Sequence, residues 1–124
     1  MSAAFEDGLF RRLGALWIDH VAVTTADLEA TCRAYLSMPG GRLLRGPGWN
    51  PDQNVHYAFI RFADGPCIEA LAPPAEGDTP IRAHLERGGG AYHVCYAVEN
   101  LDAAMGRVEA LGCRVAVPPR PDAA

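Results

Sequence analysis

With 124 residues, 49% of them hydrophobic, the chain is long enough for one globular domain with its own core. Its formal net charge of -4, without a basic run, excludes the concentrated positive surface that a nucleic-acid partner requires and favours a small-molecule partner. All 11 basic residues are arginine, which excludes Schiff-base lysine chemistry and the Walker phosphate site, and the only serines, Ser2 and Ser37, argue against a serine hydrolase.

Glu6, Asp7, Arg11 and Arg12 interrupt the N-terminal apolar stretches, so the ordered regions of a signal peptide are not seen. No segment is long and apolar enough to cross a membrane, and a reducing cytoplasm is expected. Cys32, Cys67, Cys95 and Cys113 are widely spaced without a Cys-x-x-Cys pair, and read as small buried hydrophobes with free thiols.

In chain order, the β-branched and aromatic run Trp17 to Val23 predicts a strand. Thr25 is the expected cap of a helix whose apolar stripe is Leu28, Cys32, Tyr35 and Leu36. Pro39-Gly40-Gly41 turns into a strand around Arg42 to Arg45, and Gly46 to Asn54 reads as a loop. Val55 to Phe62 and Pro66 to Leu71 read as strands joined by the hairpin connection Ala63-Asp64-Gly65. A linker from Ala72 to Asp78 precedes a short helix over Thr79 to Arg87 and the Gly88-Gly89-Gly90 turn. A strand over Ala91 to Val98 follows, then a helix capped by Asn100, with the stripe Leu101, Met105 and Val108, that stops at Gly112. A last strand is expected from Cys113 to Val117, before a Pro-rich tail.

Within this order lies an ungapped internal match. His20-Val21 is followed at the same spacing by Leu28-Glu29-Ala30 as His93-Val94 is by Leu101-Asp102-Ala103. The chain is therefore expected to be an α+β domain over residues 1–124 built from two β-α-β-β-β modules, one at about 17–72 and one at about 91–124, with a linker at 73–90. The second module is two strands short of the first, so either residues beyond Ala124 complete it or the fold closes in another way.

The repeat places His20 and His93 at equivalent strand positions, where a pseudo-twofold relation brings side chains to one point. Neutral imidazole is the commonest nitrogen ligand of divalent transition metals, and ligands on strands are held rigidly. Either histidine alone reads more simply as a core or surface residue; the pairing raises the metal reading beside that one. Glu69 sits between Ile68 and Ala70 in an apolar strand, where a carboxylate is costly unless paired or metal-bound. Two histidines and a carboxylate leave positions open for a substrate. The same spacing puts a counterpart of Glu69 near position 142, past Ala124. His84 is expected to be solvated, His56 to face either side, and Asp52 to be a candidate site carboxylate or a turn residue ahead of a strand.

Over residues 17 to 121 these motifs resemble the vicinal oxygen chelate (glyoxalase/bleomycin resistance) superfamily, whose paired modules curl a mixed sheet around a metal cavity. Ile18-Asp19-His20-Val21, Pro51-Asp52-Gln53, Ile68-Glu69-Ala70-Leu71-Ala72-Pro73, Thr79-Pro80-Ile81 and His93 with its apolar strand are similar to the methylmalonyl-CoA epimerases within it. The resemblance implies His20, Glu69 and His93 as ligands of a divalent metal ion (cobalt, nickel, manganese or zinc), and places Asp52 where those enzymes carry a glutamate general base. It implies an isomerase acting on the proton α to an acyl thioester carbonyl, an acyl-CoA substrate and a homodimer. A glyoxalase-type lyase and a non-catalytic binding or resistance protein are the alternatives. Four departures stand against the likeness: Asp52 is one methylene shorter, Asn54 replaces a glycine, Tyr92 replaces a histidine, and the glutamate that the likeness implies as a fourth ligand is not among these residues.

Overall fold

A computed structural model describes residues 8–120. Helix α1 (Leu9–Arg12) leads into β1 (Ala15–Thr24), followed by α2 (Leu28–Leu36), β2 (Gly41–Asn50), β3 (Val55–Phe62), β4 (Cys67–Ala72), α3 (Arg82–Glu86), β5 (Gly90–Val98) and α4 (Leu101–Ala110). The strands form one mixed sheet in the order β2-β3-β4-β1-β5. The first module is thus β-α-β-β-β, as the pattern predicts, and the second contributes β5 and α4. Two compact units divide the described residues: 8–18 with 96–120, and 19–95.

In the unit of residues 19–95, β2-β3 and β3-β4 are antiparallel, and β1 runs parallel to β4 with Ala22 opposite Glu69. Alternation along β3 sorts the core into two faces. Val55, Tyr57 and Phe59 point to one face with Ala22, Cys67, Leu71 and Ile81. Ala58 and Ile60 point to the other, where Cys32, Leu28 and Tyr35 of α2 cover them. Full burial of Ile60, Leu71, Ile81 and Val55 contributes about 1.5–3 kcal/mol for each side chain. The remaining unit contains α1 and α4, with the Phe10 ring edge-on to Tyr96 at 5.6 Å.

Several expectations change. Helix α2 is capped by Asp27, whose Oδ1 accepts from Ala30 N at 3.0 Å. Thr25 sits two residues earlier and accepts the Asp27 N–H instead, because a cap must immediately precede the first helical residue. Asn100 caps α4 as expected.

Residues Gly46 to Asn50 belong to β2 rather than to a loop. The outer position of β2 tolerates a proline without an N–H, and register shifts between Leu43 and Arg45 and between Arg45 and Gly48 absorb the irregularity. Gly46 has φ 85°, and a Cβ there would meet Tyr57 O at 2.8 Å, so glycine is required at that bulge. The helix expected over Thr79 to Arg87 is limited to α3, and β4 extends through Ala72 into the expected linker. No strand forms over Cys113 to Val117, since apolar content makes a strand only where a sheet edge accepts its hydrogen bonds. Cys113 is accordingly exposed, whereas Cys32 and Cys67 are buried and Cys95 is intermediate.

Candidate metal centre

The parallel pairing of β1 with β4 puts Ala22 beside Glu69, and His20, two residues back on the same face of β1, reaches the Glu69 carboxylate. His20 Nε2 lies 3.3 Å from Glu69 Oε1. His93 on β5 brings its Nε2 to 3.4 Å from His20 Nε2 and 3.6 Å from Glu69 Oε1. Three donor atoms from three strands thus form a nearly equilateral triangle. At ligand bonds of about 2.0–2.1 Å, donors around a tetrahedral ion stand about 3.4 Å apart. The triangle therefore fits a divalent transition metal in size, and its nitrogen and oxygen donors fit such an ion in chemistry.

Surroundings fix the donors in place. His20 Nδ1–H donates to Asp19 Oδ2 at 2.9 Å, which leaves Nε2 as the ring atom turned toward Glu69 and His93. The Phe59 ring stands edge-on to His20 at 5.3 Å. Burial opposes a charge on His20, but hydrogen bonds with Cys95, Glu69 and Asp19 outweigh it and push the ring up to about 11. Burial lowers His93 below the ordinary imidazole range, with the neighbouring Glu69 opposing and His20 reinforcing the shift.

The other sequence candidates are not among these donors. Asp52 is in the exposed turn between β2 and β3, its N–H bonded to Asn50 Oδ1 at 3.0 Å, and no metal-capable cluster among the described residues includes it. His56 is exposed and packs against Trp49 at 4.7 Å. His84, expected in solvent, bonds through Nδ1 to the buried Thr24 Oγ1 at 2.9 Å. Sequence reasoning gave no role to Asp19, although an Asp directly before a strand histidine was the available signal. It also passed over Cys95, which groups with Asp19 and His20 in a second set of close donors.

A family profile described as Glyoxalase/Bleomycin resistance protein/Dioxygenase superfamily matches residues 19–124. The chain belongs to that superfamily. Among superfamily proteins, an ethylmalonyl-CoA/methylmalonyl-CoA epimerase of Cereibacter sphaeroides is 38% identical over 100 residues, covering 79% of this chain and 72% of the relative. The mitochondrial methylmalonyl-CoA epimerase of Homo sapiens is 29% identical over 98 residues, 74% of this chain and 54% of its own length. This chain thus spans about half the length of that human relative. A Streptomyces coelicolor methylmalonyl-CoA epimerase variant, solved in complex with 2-nitronate-propionyl-CoA, superposes with a TM-score of 0.74 at 25% identity, over 88% of this chain and 81% of that one.

Proposed function

We propose that the chain forms a metal-dependent isomerase that removes and returns the proton α to an acyl thioester carbonyl, with methylmalonyl-CoA as substrate. The observation that supports this most is the triangle of His20, Glu69 and His93 in a chain whose relatives are methylmalonyl-CoA epimerases. These three residues would hold a divalent ion of the cobalt, nickel, manganese or zinc type. Such an ion supplies Lewis-acid charge toward the thioester oxygen as the proton leaves.

The protein's own groups do the rest. Asp19 keeps His20 in the tautomer that presents Nε2, Glu69 contributes an anionic donor, and Phe59 shields one side of the site from water. Asp52, at the approach to β3, is the proposed base that takes the α proton, and an acid on the opposite face returns one. The four cysteines are free, which suits the cytoplasm. Among the described residues, no helix is long and apolar enough to cross a membrane. β5 ends the strand order, and its Tyr92 and Val94 are exposed, so we infer pairing with a second copy along that edge.

Metal analysis and proton exchange test the proposal in sequence. Purified protein supplemented with cobalt or nickel should carry one ion, and fewer than about 0.2 equivalents would reject the metal centre. The loaded protein in deuterium oxide should then exchange the C2 proton of methylmalonyl-CoA by NMR. A loaded protein without exchange would direct the assignment to another reaction of the superfamily.

A further inference from the structure

Strand β5 turns a second donor toward His20. Burial alternates along it, so that His93 and Cys95, two residues apart, share the more covered face while Tyr92, Val94 and Tyr96 are exposed. Because β5 lies beside β1, both side chains reach the same ring: His93 Nε2 stands 3.4 Å from His20 Nε2, and the Cys95 thiol hydrogen-bonds with His20. Asp19 Oδ2 meets that ring at Nδ1, 2.9 Å away. The ligand atoms of Asp19, His20 and Cys95 lie within 4.8 Å of one another, all inside the unit of residues 19–95. Around a tetrahedral ion, a thiolate at about 2.3 Å and nitrogen or oxygen at about 2.0–2.2 Å stand about 3.3–3.6 Å apart. The Asp19 side chain is 53% exposed, which gives it room to adjust and an ion a path in from solvent.

We propose that Asp19, His20 and Cys95 form a second divalent-metal site, selective for zinc-like ions, that competes with the triangle for His20. Thiolate is the soft donor that the triangle lacks, and it favours zinc and cadmium over manganese or magnesium. The competition follows from the ring, since a neutral imidazole offers one lone pair at a time. With the proton on Nδ1 and donated to Asp19, Nε2 is the donor and serves the side of Glu69 and His93. An ion held by Asp19 and Cys95 takes Nδ1 instead. The thiol proton then leaves to solvent, the ring proton moves to Nε2, and the triangle loses a ligand. The two positions are therefore alternatives, and excess zinc inhibits the chemistry of the first by filling the second.

Binding at the second set does not depend on the epimerase reading; the competition rests on the triangle, and the two are read apart. Cadmium is titrated into metal-free protein while the ultraviolet thiolate-to-cadmium charge-transfer band is followed. The band should saturate at one equivalent in wild type and in Cys113→Ser, and should be lost in Cys95→Ser. Asp19→Asn should need about tenfold more cadmium. A band that persists in Cys95→Ser, or no band in wild type, would overturn the site. His93→Ala, which breaks the triangle, should keep the band. For the competition, wild type first given one equivalent of cobalt should need at least about tenfold more cadmium, and His93→Ala should lose most of that cobalt effect. Equal cadmium demand with and without cobalt, or an undiminished cobalt effect in His93→Ala, overturns the competition. Absence of C2 exchange leaves the site standing, because the band reports Cys95 and not the reaction. Should Cys95→Ser fail to fold by circular dichroism, Asp19→Asn decides: a titration within about twofold of wild type overturns the site.

Discussion

Asp19 and Cys32 show how single side chains are tuned by what surrounds them. Asp19 touches none of the donor atoms of the triangle except through His20 Nδ1, so Asp19→Asn is expected to weaken metal affinity by about 10- to 100-fold without abolishing it. A competition titration against a chelator measures this, and His93→Ala should show a larger loss because it removes a donor outright. Cys32 illustrates burial without a partner: enclosure between α2 and the sheet pushes its thiol up from the ordinary range near 9.0. The unfolded chain ionises first, so this group contributes stability that is present below about pH 9 and is lost as pH rises beyond it. Chemical denaturation between pH 8 and about pH 10 should show that decline. At neutral pH a thiol reagent should modify exposed Cys113 quickly and Cys32 only on unfolding.

At the scale of elements, caps and bulges decide where strands and helices begin. Asp27→Ala removes the acceptor for Ala30 N and is expected to cost about 1 kcal/mol, whereas Thr25, the better cap candidate by composition, holds Asp27 from outside the helix. Ile60→Ala, beneath α2 on β3, should cost about 2–5 kcal/mol, because its space is closed on all sides. Urea melts of the two variants would rank them in that order. Strand β2 shows why the loop expected over Gly46 to Asn54 shrinks to the turn at 51–54: glycine and proline usually punctuate, yet at an outer strand they build bulges that keep pairing with β3 and turn Arg45 over Phe59. Local composition cannot distinguish the two outcomes, since the difference is the presence of a neighbouring strand.

For the whole molecule, donors gathered from β1, β4 and β5 make metal binding a folding term. An ion at about 100 times its Kd should stabilise the native state by about 2.7 kcal/mol, and chelation by EDTA should lower Tm by several degrees. Calorimetry on apo and loaded protein checks this; equal melting would mean that no ion binds the native site. Much of this organisation was legible in the chain itself. The repeat around His20 and His93, the β-α-β-β-β order and the cost of a lone Glu69 in an apolar strand are all local patterns, set by side-chain alternation and hydrophobic periodicity. Convergence was not local: that Nε2 of His20, Nε2 of His93 and Oε1 of Glu69 stand 3.3 to 3.6 Å apart follows from the parallel pairing of β1 with β4 and the placing of β5 beside β1. The pairing of β3 with β2 and β4 likewise left Arg61 Nε buried without a partner, a fact that depends on which strands become neighbours. Sequence by itself determined the elements and the candidate donors, because those depend on neighbours along the chain. Tertiary structure alone decided their geometry, because it arises between residues tens of positions apart.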